Sequence, residues 1–298
     1  MARSASNGSS MSSMDARNGY EAFHAVSDEM PMTGFHCHDY YEFYIHIRGG
    51  RYYGLDSSLY LLEPNQMFVI PPFLMHGISS TQAAGGYERA FLNLTPEMLG
   101  ILGCGQIDLD QFFRSYTAQG KYMFQMTPEA AKQCVGWIGR LQRNSGGDAL
   151  GDFQRCAVLM NLLGVICQTM RDAQTVVGGV VSNGVIQEVL THINGSYTQP
   201  LKIGELARRF GVSVSYLSHE FARYTDRSVY DYILYRRIML ARQMMTSDLT
   251  LNTIAYQCGF NDYSNFLRVF SRLVGMPPSR YRKNLRRFQQ DMLAERQR

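Results

Sequence analysis

Four side chains in the N-terminal part of the chain are of the types that bind transition-metal ions. His36, His38 and Glu42 lie close together in sequence, and His76 follows further along the chain. Three imidazoles and one carboxylate suit Zn, Fe, Ni or Mn, and geometry rather than affinity decides among these metals. His36, His38 and Glu42 have the same parity, so an unbroken strand would place them on one face. The pattern predicts either a divalent metal site or histidines that contact a ligand or stabilise the fold.

The spacing of these residues resembles the metal-binding motifs of the cupin family. The segment from His36 to Gly49 has the form HxHx3Ex6G, the first cupin motif, and Pro71-x4-His76 is similar to the second. The second motif is incomplete, because Asn65-Gln66 stands where cupins usually have Gly-Asp. The resemblance implies a small β-barrel, and it leaves open a metal-dependent cupin enzyme.

Short strands are expected to position these residues. The segment from residue 20 to 100 contains runs of aromatic and branched side chains, separated by turns that contain Gly, Asp or Pro. Such runs, at intervals of about eight to ten residues, are typical of a small β-sandwich or barrel. The predicted strands are Tyr41–Ile47, Arg51–Leu55, Leu59–Leu62, Met67–Ile70 and Tyr87–Leu94.

The same segment is rich in aromatic side chains with polar tips, which small-molecule pockets tend to have. A small barrel can enclose one small ligand, so we expect a small-molecule effector such as a sugar or a small acid. Alternation does not decide whether the even-numbered face of the strand at Tyr41–Ile47 lines the interior or meets solvent. The candidate effector-binding residues are Tyr40, Tyr44, His46, Tyr52 and Tyr53.

Charge is distributed unevenly along the chain. The formal net charge is +4, but residues 1–182 hold 12 Lys and Arg against 16 Asp and Glu, whereas residues 183–298 hold 17 against 9. The first part therefore has a net charge of −4 and the second a net charge of +8. A strongly basic segment favours a polyanion as its partner. The second part also has helical periodicity almost throughout, as do Pro128–Leu141 and Phe153–Met170 before it.

One sequence unit occurs twice in the basic part. The copies, Leu206–Gly211 and Ile254–Gly259, each have Ala at the second position and Gly at the end. The small Ala lets two helices approach closely, and the Gly permits the positive φ needed to leave the first helix. Apolar residues follow each copy, at an offset that grows from 48 to 49 residues, so the second turn has one extra residue. This pattern predicts two helix-turn-helix units.

Residues 250–283 closely resemble the signature of AraC/XylS-family transcription regulators. The resemblance implies two helix-turn-helix units, at about 203–224 and 251–274, joined by a helix at Val229–Met245, with double-stranded DNA as the partner. It also implies that the helices at 128–171 mediate formation of a homodimer. The matching residues are Ile254-Ala255, Gly259-Phe260, Asp262, Phe266, Phe270, Gly275, Pro278 and Tyr281-Arg282.

The family pattern assigns DNA contacts to the second helix of each unit. Arg268 is the best candidate for a bidentate contact to guanine, because a guanidinium matches O6 and N7 of that base. In two places the sequence departs from the pattern: Asp226 replaces a frequent glycine, and His219 replaces a frequent Arg or Lys. The candidates for base contacts are Ser215, Ser218, His219, Tyr263, Ser264 and Arg268; those for phosphate contacts are Arg223, Arg272 and Arg282.

These patterns predict an α+β multidomain protein, in which a cupin-like β-barrel with following helices precedes an all-α domain of two helix-turn-helix subdomains. No apolar run approaches 18 residues and no signal peptide is evident, so we expect a cytoplasmic protein with reduced thiols that does not contact membranes. The predicted segments are a disordered tail at 1–18, a sensing and dimerisation domain at 19–175, a linker at 176–182, a DNA-binding domain at 183–288 and a basic, polar tail at 289–298.

Three functional hypotheses remain open from the sequence. The chain is a transcription regulator controlled by an effector, a cupin metalloenzyme with a helical appendage, or a DNA-binding regulator whose barrel only dimerises. The strongest motif lies in the basic helical part, which favours a regulator over an enzyme. The effector, the operator and the choice between activation and repression are not indicated.

Overall fold

The computed structural model describes residues 19–27, 36–49, 52–56, 58–79, 86–143, 148–173, 184–225 and 227–296. The chain divides into two compact units with a boundary between Ser182 and Asn183. We call the described residues up to 173 the β unit and those from 184 the helical unit. Three features named above lie outside the described residues: the predicted tail at 1–18, the predicted linker at 176–182, and Asp226, which departs from the family pattern.

The β unit contains two antiparallel sheets. The strands are Tyr20–Ser27 (β1), Tyr41–Arg48 (β2), Tyr52–Leu55 (β3), Ser58–Leu61 (β4), Gln66–Ile70 (β5), His76–Ser79 (β6), Tyr87–Leu94 (β7) and Met123–Gln125 (β8). The first sheet has the strand order β1-β7-β2-β5-β8 and the second the order β4-β3-β6. The structure confirms the five predicted strands, with end shifts of at most one residue, and adds β1, β6 and β8.

The two faces of β2 pack into two different cores. Its odd-numbered residues, including Phe43 and Ile45, join a core between the first sheet and the helices. On its even-numbered face, Tyr44 joins a second core with Tyr53 of β3 and Phe68 of β5. This second core contains residues of both sheets, so the even-numbered face lines the interior between them. Alternation in the sequence had not decided whether this face lines the interior or meets solvent.

Four helices follow or cover the first sheet. The helices are Pro96–Leu102 (α1), Leu109–Thr117 (α2), Pro128–Arg143 (α3) and Ala149–Asp172 (α4). Side chains at three helix N-termini accept backbone hydrogen bonds: Thr95 caps α1, Asp108 caps α2 and Asp148 caps α4. Among the described residues, α4 is long and apolar enough to cross a membrane by length and composition alone. It packs against α3, however, and contributes to the core between the first sheet and the helices.

The helical unit contains seven helices in its described residues. The connecting helix α8 begins at Val229, as predicted, and ends at Met244, one residue before the predicted end. Both turn glycines have positive φ, +66° at Gly211 and +89° at Gly259, as the repeat predicted. The helices are Gly184–Ser196 (α5), Ile203–Arg209 (α6), Val214–Thr225 (α7), Val229–Met244 (α8), Leu251–Gln257 (α9), Tyr263–Val274 (α10) and Pro278–Arg296 (α11). Helix α11 thus includes most of the segment predicted as a tail at 289–298.

Candidate functional site

The two repeats form matching helical hairpins. After α6 the amide of Val212 donates to the Ala207 carbonyl, and after α9 the amide of Phe260 donates to the Ala255 carbonyl, both at 3.0 Å. Helix α7 begins three residues after Gly211, whereas α10 begins four residues after Gly259. The second turn therefore has the extra residue that the sequence offset predicted.

The first hairpin presents a polar face of α7. Leu217 and Phe221 are fully buried, whereas Ser215 and His219 lie on the exposed side of the helix. Ser218 is half-buried, and its hydroxyl donates to the Val214 carbonyl at 2.7 Å. Ser218 is therefore less available for an outside contact than Ser215 or His219.

The second hairpin presents a longer cationic side chain. Asp262 caps α10 by accepting from the amides of Ser264 and Asn265, while Ser264 itself remains exposed. Arg268 is exposed, and its Nη2 donates to Asn265 Oδ1 at 2.8 Å. Tyr263 is half-buried and stacks on Phe266. This face therefore carries a guanidinium that a neighbouring amide orients.

The three arginines assigned to phosphate contacts differ in their surroundings. Arg223 pairs with Glu220 at 2.7 Å and is largely exposed, and Arg272 lies 3.7 Å from Asp231 of α8. Arg282 is half-buried and donates to the Leu249 carbonyl at 2.8 Å, so it holds the loop before α9. The structure thus gives Arg282 an internal partner that the sequence did not indicate.

A loop between α5 and α6 contacts the connecting helix α8 and the turn of the second hairpin. Arg237 of α8 donates to the carbonyls of Tyr197 and Gln199, at 2.7 and 2.8 Å. A Cβ atom added to Gly259 would lie 2.5 Å from the Thr198 carbonyl oxygen, a distance that real Cβ atoms essentially never show. The second turn therefore packs directly on the backbone of this loop, and only glycine fits there.

The β unit brings together the four predicted metal-binding side chains. One ligand atom from each of His36, His38, Glu42 and His76 lies within 4.8 Å of the others. His38 Nε2 is 3.0 Å and His76 Nε2 is 3.4 Å from the same oxygen, Glu42 Oε2. The four residues do not share one strand: β2 begins at Tyr41, as predicted, and His36 forms an isolated backbone bridge with His76.

Backbone carbonyls orient two of these imidazoles. His38 Nδ1 lies 2.9 Å from the Tyr40 carbonyl, and His76 Nδ1 lies 2.9 Å from the Leu74 carbonyl. Burial lowers the pKa of His38, against the opposing effect of Glu42. Burial would raise the pKa of Glu42, but the neighbouring imidazoles of His38 and His76 outweigh it and hold that pKa well below its usual value. The carboxylate is therefore ionised at neutral pH.

The predicted effector residues fall into three groups. Tyr44 and Tyr53 stack at 4.7 Å in the interior between the sheets, and buried His46 lies 6.1 Å from Tyr87 of β7. Tyr40 is also buried, but it stacks on His38 of the histidine cluster. Tyr52 alternates with Tyr53 along β3 and is half-buried, so it does not join the interior group.

Tyr87 is an interior residue that the sequence analysis missed. Its hydroxyl forms a hydrogen bond with that of Tyr44, and burial raises its pKa to about 12. Burial also raises the pKa of Tyr44 and Tyr53 well above the usual value. Tyr87 is the first residue of a predicted strand. Alternation along that strand could have indicated which of its residues lie on the same face as Tyr87.

Comparisons with known proteins assign both units. A helix-turn-helix domain family matches residues 206–284, and an AraC-like ligand-binding domain family matches residues 18–152. The HTH-type regulator YdiP of Escherichia coli K12, whose own function is uncharacterised, is 24% identical over 88% of this chain and 86% of its own. The activator RhaR of E. coli is 23% identical over 87% of this chain and 90% of its own.

The regulatory protein SoxS of E. coli K12 is 34% identical over 102 residues, which cover 95% of SoxS and 34% of this chain. The two family matches and the two-unit structure confirm the predicted fold class and the DNA-binding regulator, and the matched families and relatives are regulatory rather than enzymatic. With a helix-turn-helix pair in one unit and a ligand-binding β-domain in the other, the chain belongs to the AraC family of transcriptional regulators.

Proposed function

We propose that this regulator binds its operator through the exposed faces of α7 and α10, as a homodimer, and that a small-molecule effector in the β unit changes its affinity for DNA. An effector can do so only if its affinity differs between the two DNA-binding states. We place this activity in the cytoplasm, where operator DNA is accessible. The orientation of Arg268 by Asn265 is the observation that carries the DNA-binding assignment.

Recognition of bases is assigned to one stripe on each helix. On α7 the stripe contains Ser215, Ser218 and His219, and on α10 it contains Tyr263, Ser264 and Arg268. The buried residues of both helices lie on the opposite sides, so each stripe is free to enter a major groove. Arg268 has the strongest base-reading chemistry of the six, since its guanidinium can donate twice to one guanine.

A selected duplex tests this assignment. Tag-free protein would be used to enrich binding sites from a random duplex pool, and Arg268→Ala would then be titrated against the selected site. We expect a loss of about 1–3 kcal/mol in operator binding and relaxed preference at one base pair. Arg140→Ala, which removes an exposed arginine from α3 of the β unit, is the matched control and should leave binding unchanged. Unchanged affinity in Arg268→Ala would remove Arg268 from the recognition surface.

Phosphate binding is assigned to Arg223, Arg272 and Arg282. Each phosphate contact releases counterions, so log K falls with log[salt] by a slope of about −0.9 per contact. Arg223→Ala should therefore weaken binding to all duplexes and reduce the salt slope by about 1. A sequence-dependent loss with an unchanged slope would instead make Arg223 a base-reading residue.

The homodimer is proposed to form through α4. Leu150, Phe153 and Met160 are 64%, 70% and 41% exposed, which is unusual for large apolar side chains. Together with Ala157 and Gly164 they recur at alternating intervals of three and four residues. This spacing is that of the a and d positions of a coiled coil, and it places the five residues along one seam.

Sedimentation velocity of the full chain tests the seam. Phe153→Asp should shift the dimer to the monomer, because a charge at the centre of an apolar seam is desolvated without a partner. Leu61→Asp, at a 40% exposed leucine on β4, is the control and should leave the dimer intact. A wild-type monomer, or a dimer that persists in Phe153→Asp, would contradict the assignment.

The effector site is proposed to be the interior between the sheets, at Tyr44, His46 and Tyr53, with Tyr40 and Tyr52 at its margin. Trp137 of α3 is the only tryptophan, so its fluorescence reports on the β unit alone. A thermal-shift screen of sugars and small acids, followed by this fluorescence, should find a compound that raises the melting temperature. Tyr53→Phe should weaken that shift, whereas Tyr52→Phe should not. Equal effects of the two variants would move the site away from the interior.

A further inference from the structure

We propose that His36, His38, Glu42 and His76 form a binding site for one divalent transition-metal ion, and that the ion is part of the input that the regulator senses. The role of the ion as an input rests on the proposed effector control; the binding site itself rests on the geometry of the four side chains. Their ligand atoms lie within 4.8 Å of one another.

Hydrogen bonds fix which ring nitrogens face the carboxylate. His38 Nδ1 and His76 Nδ1 each lie 2.9 Å from a backbone carbonyl, which accepts but cannot donate, so each Nδ1 carries the proton. In the neutral rings both Nε2 atoms then present lone pairs. Both are directed at Glu42 Oε2, which is itself an acceptor.

A cation between these atoms removes the repulsion between the two Nε2 lone pairs and the carboxylate oxygen that they face. His76 Nε2 is buried, and among the described residues no partner forms a hydrogen bond of good geometry with it. Two protonated rings would also satisfy the carboxylate, but their centres are only 4.8 Å apart and both side chains are almost fully buried. Two neighbouring buried positive charges repel, whereas one metal ion accepts both lone pairs and the carboxylate oxygen.

The distances suit a small transition-metal ion. Metal bonds to imidazole nitrogen and carboxylate oxygen are about 2.0–2.2 Å long, so two ligands of one ion lie at most about 4.2 Å apart. The separations of 3.0 and 3.4 Å at Glu42 Oε2 meet this limit, and the widest pair needs to close by about half an ångström. Three nitrogen donors favour Zn, Ni, Co or Fe over Mg or Ca, which prefer oxygen.

The backbone carbonyls supply the expected outer support. Histidines that bind a metal usually donate their second ring N–H to a carbonyl or carboxylate, which fixes the tautomer and the ring orientation. The carbonyls of Tyr40 and Leu74 have this position for His38 and His76. Both residues that accept these hydrogen bonds lie within two positions of the histidine they orient.

The four ligands connect the two sheets of the β unit. Glu42 belongs to β2 of the first sheet, His76 belongs to β6 of the second, and His36 and His38 precede β2. Tyr53 of the interior lies 6.3 Å from His76, ring to ring, and its pKa is raised in part by Glu42. Binding of an ion would therefore fasten one end of the sandwich next to the proposed effector site.

Metal titration of the tag-free full chain tests the proposal. After treatment with chelator, the wild-type protein should bind about one equivalent of Co²⁺, with a visible absorption band, and Co²⁺, Ni²⁺ or Zn²⁺ but not Mg²⁺ should raise its melting temperature. Glu42→Gln keeps the size of the side chain and should weaken Co²⁺ binding at least tenfold, as should His76→Gln. His24→Gln is the matched control, because His24 lies on β1 and pairs with Glu88, and it should bind Co²⁺ like the wild type.

Far-UV circular dichroism before titration establishes that each variant is folded. Absence of Co²⁺ binding by the folded wild-type chain, or equal binding by Glu42→Gln and the wild type, would overturn the metal site. Operator binding is measured on the same samples with and without metal. A chain that binds the operator equally in both states would overturn the role of the ion as an input but keep the site. A chain that binds no operator would contradict the proposed function, while the titration still decides the site.

Discussion

The interiors of the two units are built differently. The core of the helical unit is mainly apolar and aromatic, with Phe260, Phe266 and Phe270 almost fully buried and packed on one another; its buried Thr225 and Arg242 are hydrogen-bonded. The interior between the sheets of the β unit also contains buried groups that ionise or form hydrogen bonds, among them His46, Tyr44 and Tyr87. A closely packed aromatic core gives a fixed shape, whereas the energy of buried polar groups depends strongly on whether their hydrogen-bond partners are present.

The largest expected effect is the loss of a ring from the helical core. Phe270 is fully buried against Phe266 and Tyr281, so Phe270→Ala should reduce the free energy of unfolding of the helical unit by about 3–5 kcal/mol. Urea denaturation followed by far-UV circular dichroism measures this loss. The Trp137 transition, which belongs to the β unit, should keep its midpoint. A shifted Trp137 midpoint would show that the two units do not unfold independently.

Acid should destabilise the β unit through His46. Burial lowers its pKa to about 4, so the unfolded chain takes up the proton first as the pH falls. The stabilisation is complete above about pH 6.5 and is lost between about pH 6.5 and 4, with a total of up to about 3 kcal/mol. Urea titrations followed by Trp137 fluorescence across this range measure the effect. His46→Phe should flatten this part of the pH profile, and an unchanged profile would assign the acid sensitivity to other groups.

The two turn glycines of the helical unit offer a smaller and matched comparison. Both have positive φ, but a Cβ atom at Gly211 would meet nothing within 4 Å, whereas one at Gly259 would overlap the Thr198 carbonyl. Gly211→Ala should therefore cost only the backbone strain, about 1 kcal/mol, and Gly259→Ala about 1–3 kcal/mol more. Chemical denaturation of the two variants side by side measures the difference. Equal losses would show that the loop at Thr198 yields to the second turn.

The two units also differ in how much of their structure could be predicted from the sequence. In the helical unit the repeat specified both hairpins, because Ala and Gly at fixed positions have a steric reason that does not depend on distant residues. In the β unit the strands with clear turns were found, but β1, β6 and β8 were missed. Strand β8 has three residues and β6 has four, and both are recognisable only through their partners β5 and β3.

For the histidine cluster, residue types and spacing identified the right side chains, whereas alternation along one strand did not explain how they come together. The residue types and the cupin-like spacing selected His36, His38, Glu42 and His76, which the structure places together. Parity along a single strand does not bring them together; the backbone bridge between His36 and His76 connects the segment before β2 with β6 instead. Such long-range pairing is set by tertiary packing, which one-dimensional periodicity does not contain.

Footprinting of the selected operator tests the central claim most directly, namely that α7 and α10 each read one major groove. With the wild-type chain we expect, for each subunit, two protected windows about one helical turn, or about 34 Å, apart on one face of the duplex. His219→Ala should relax base preference under one window and Arg268→Ala under the other. A single window, or loss of preference at the same bases in both variants, would contradict the account.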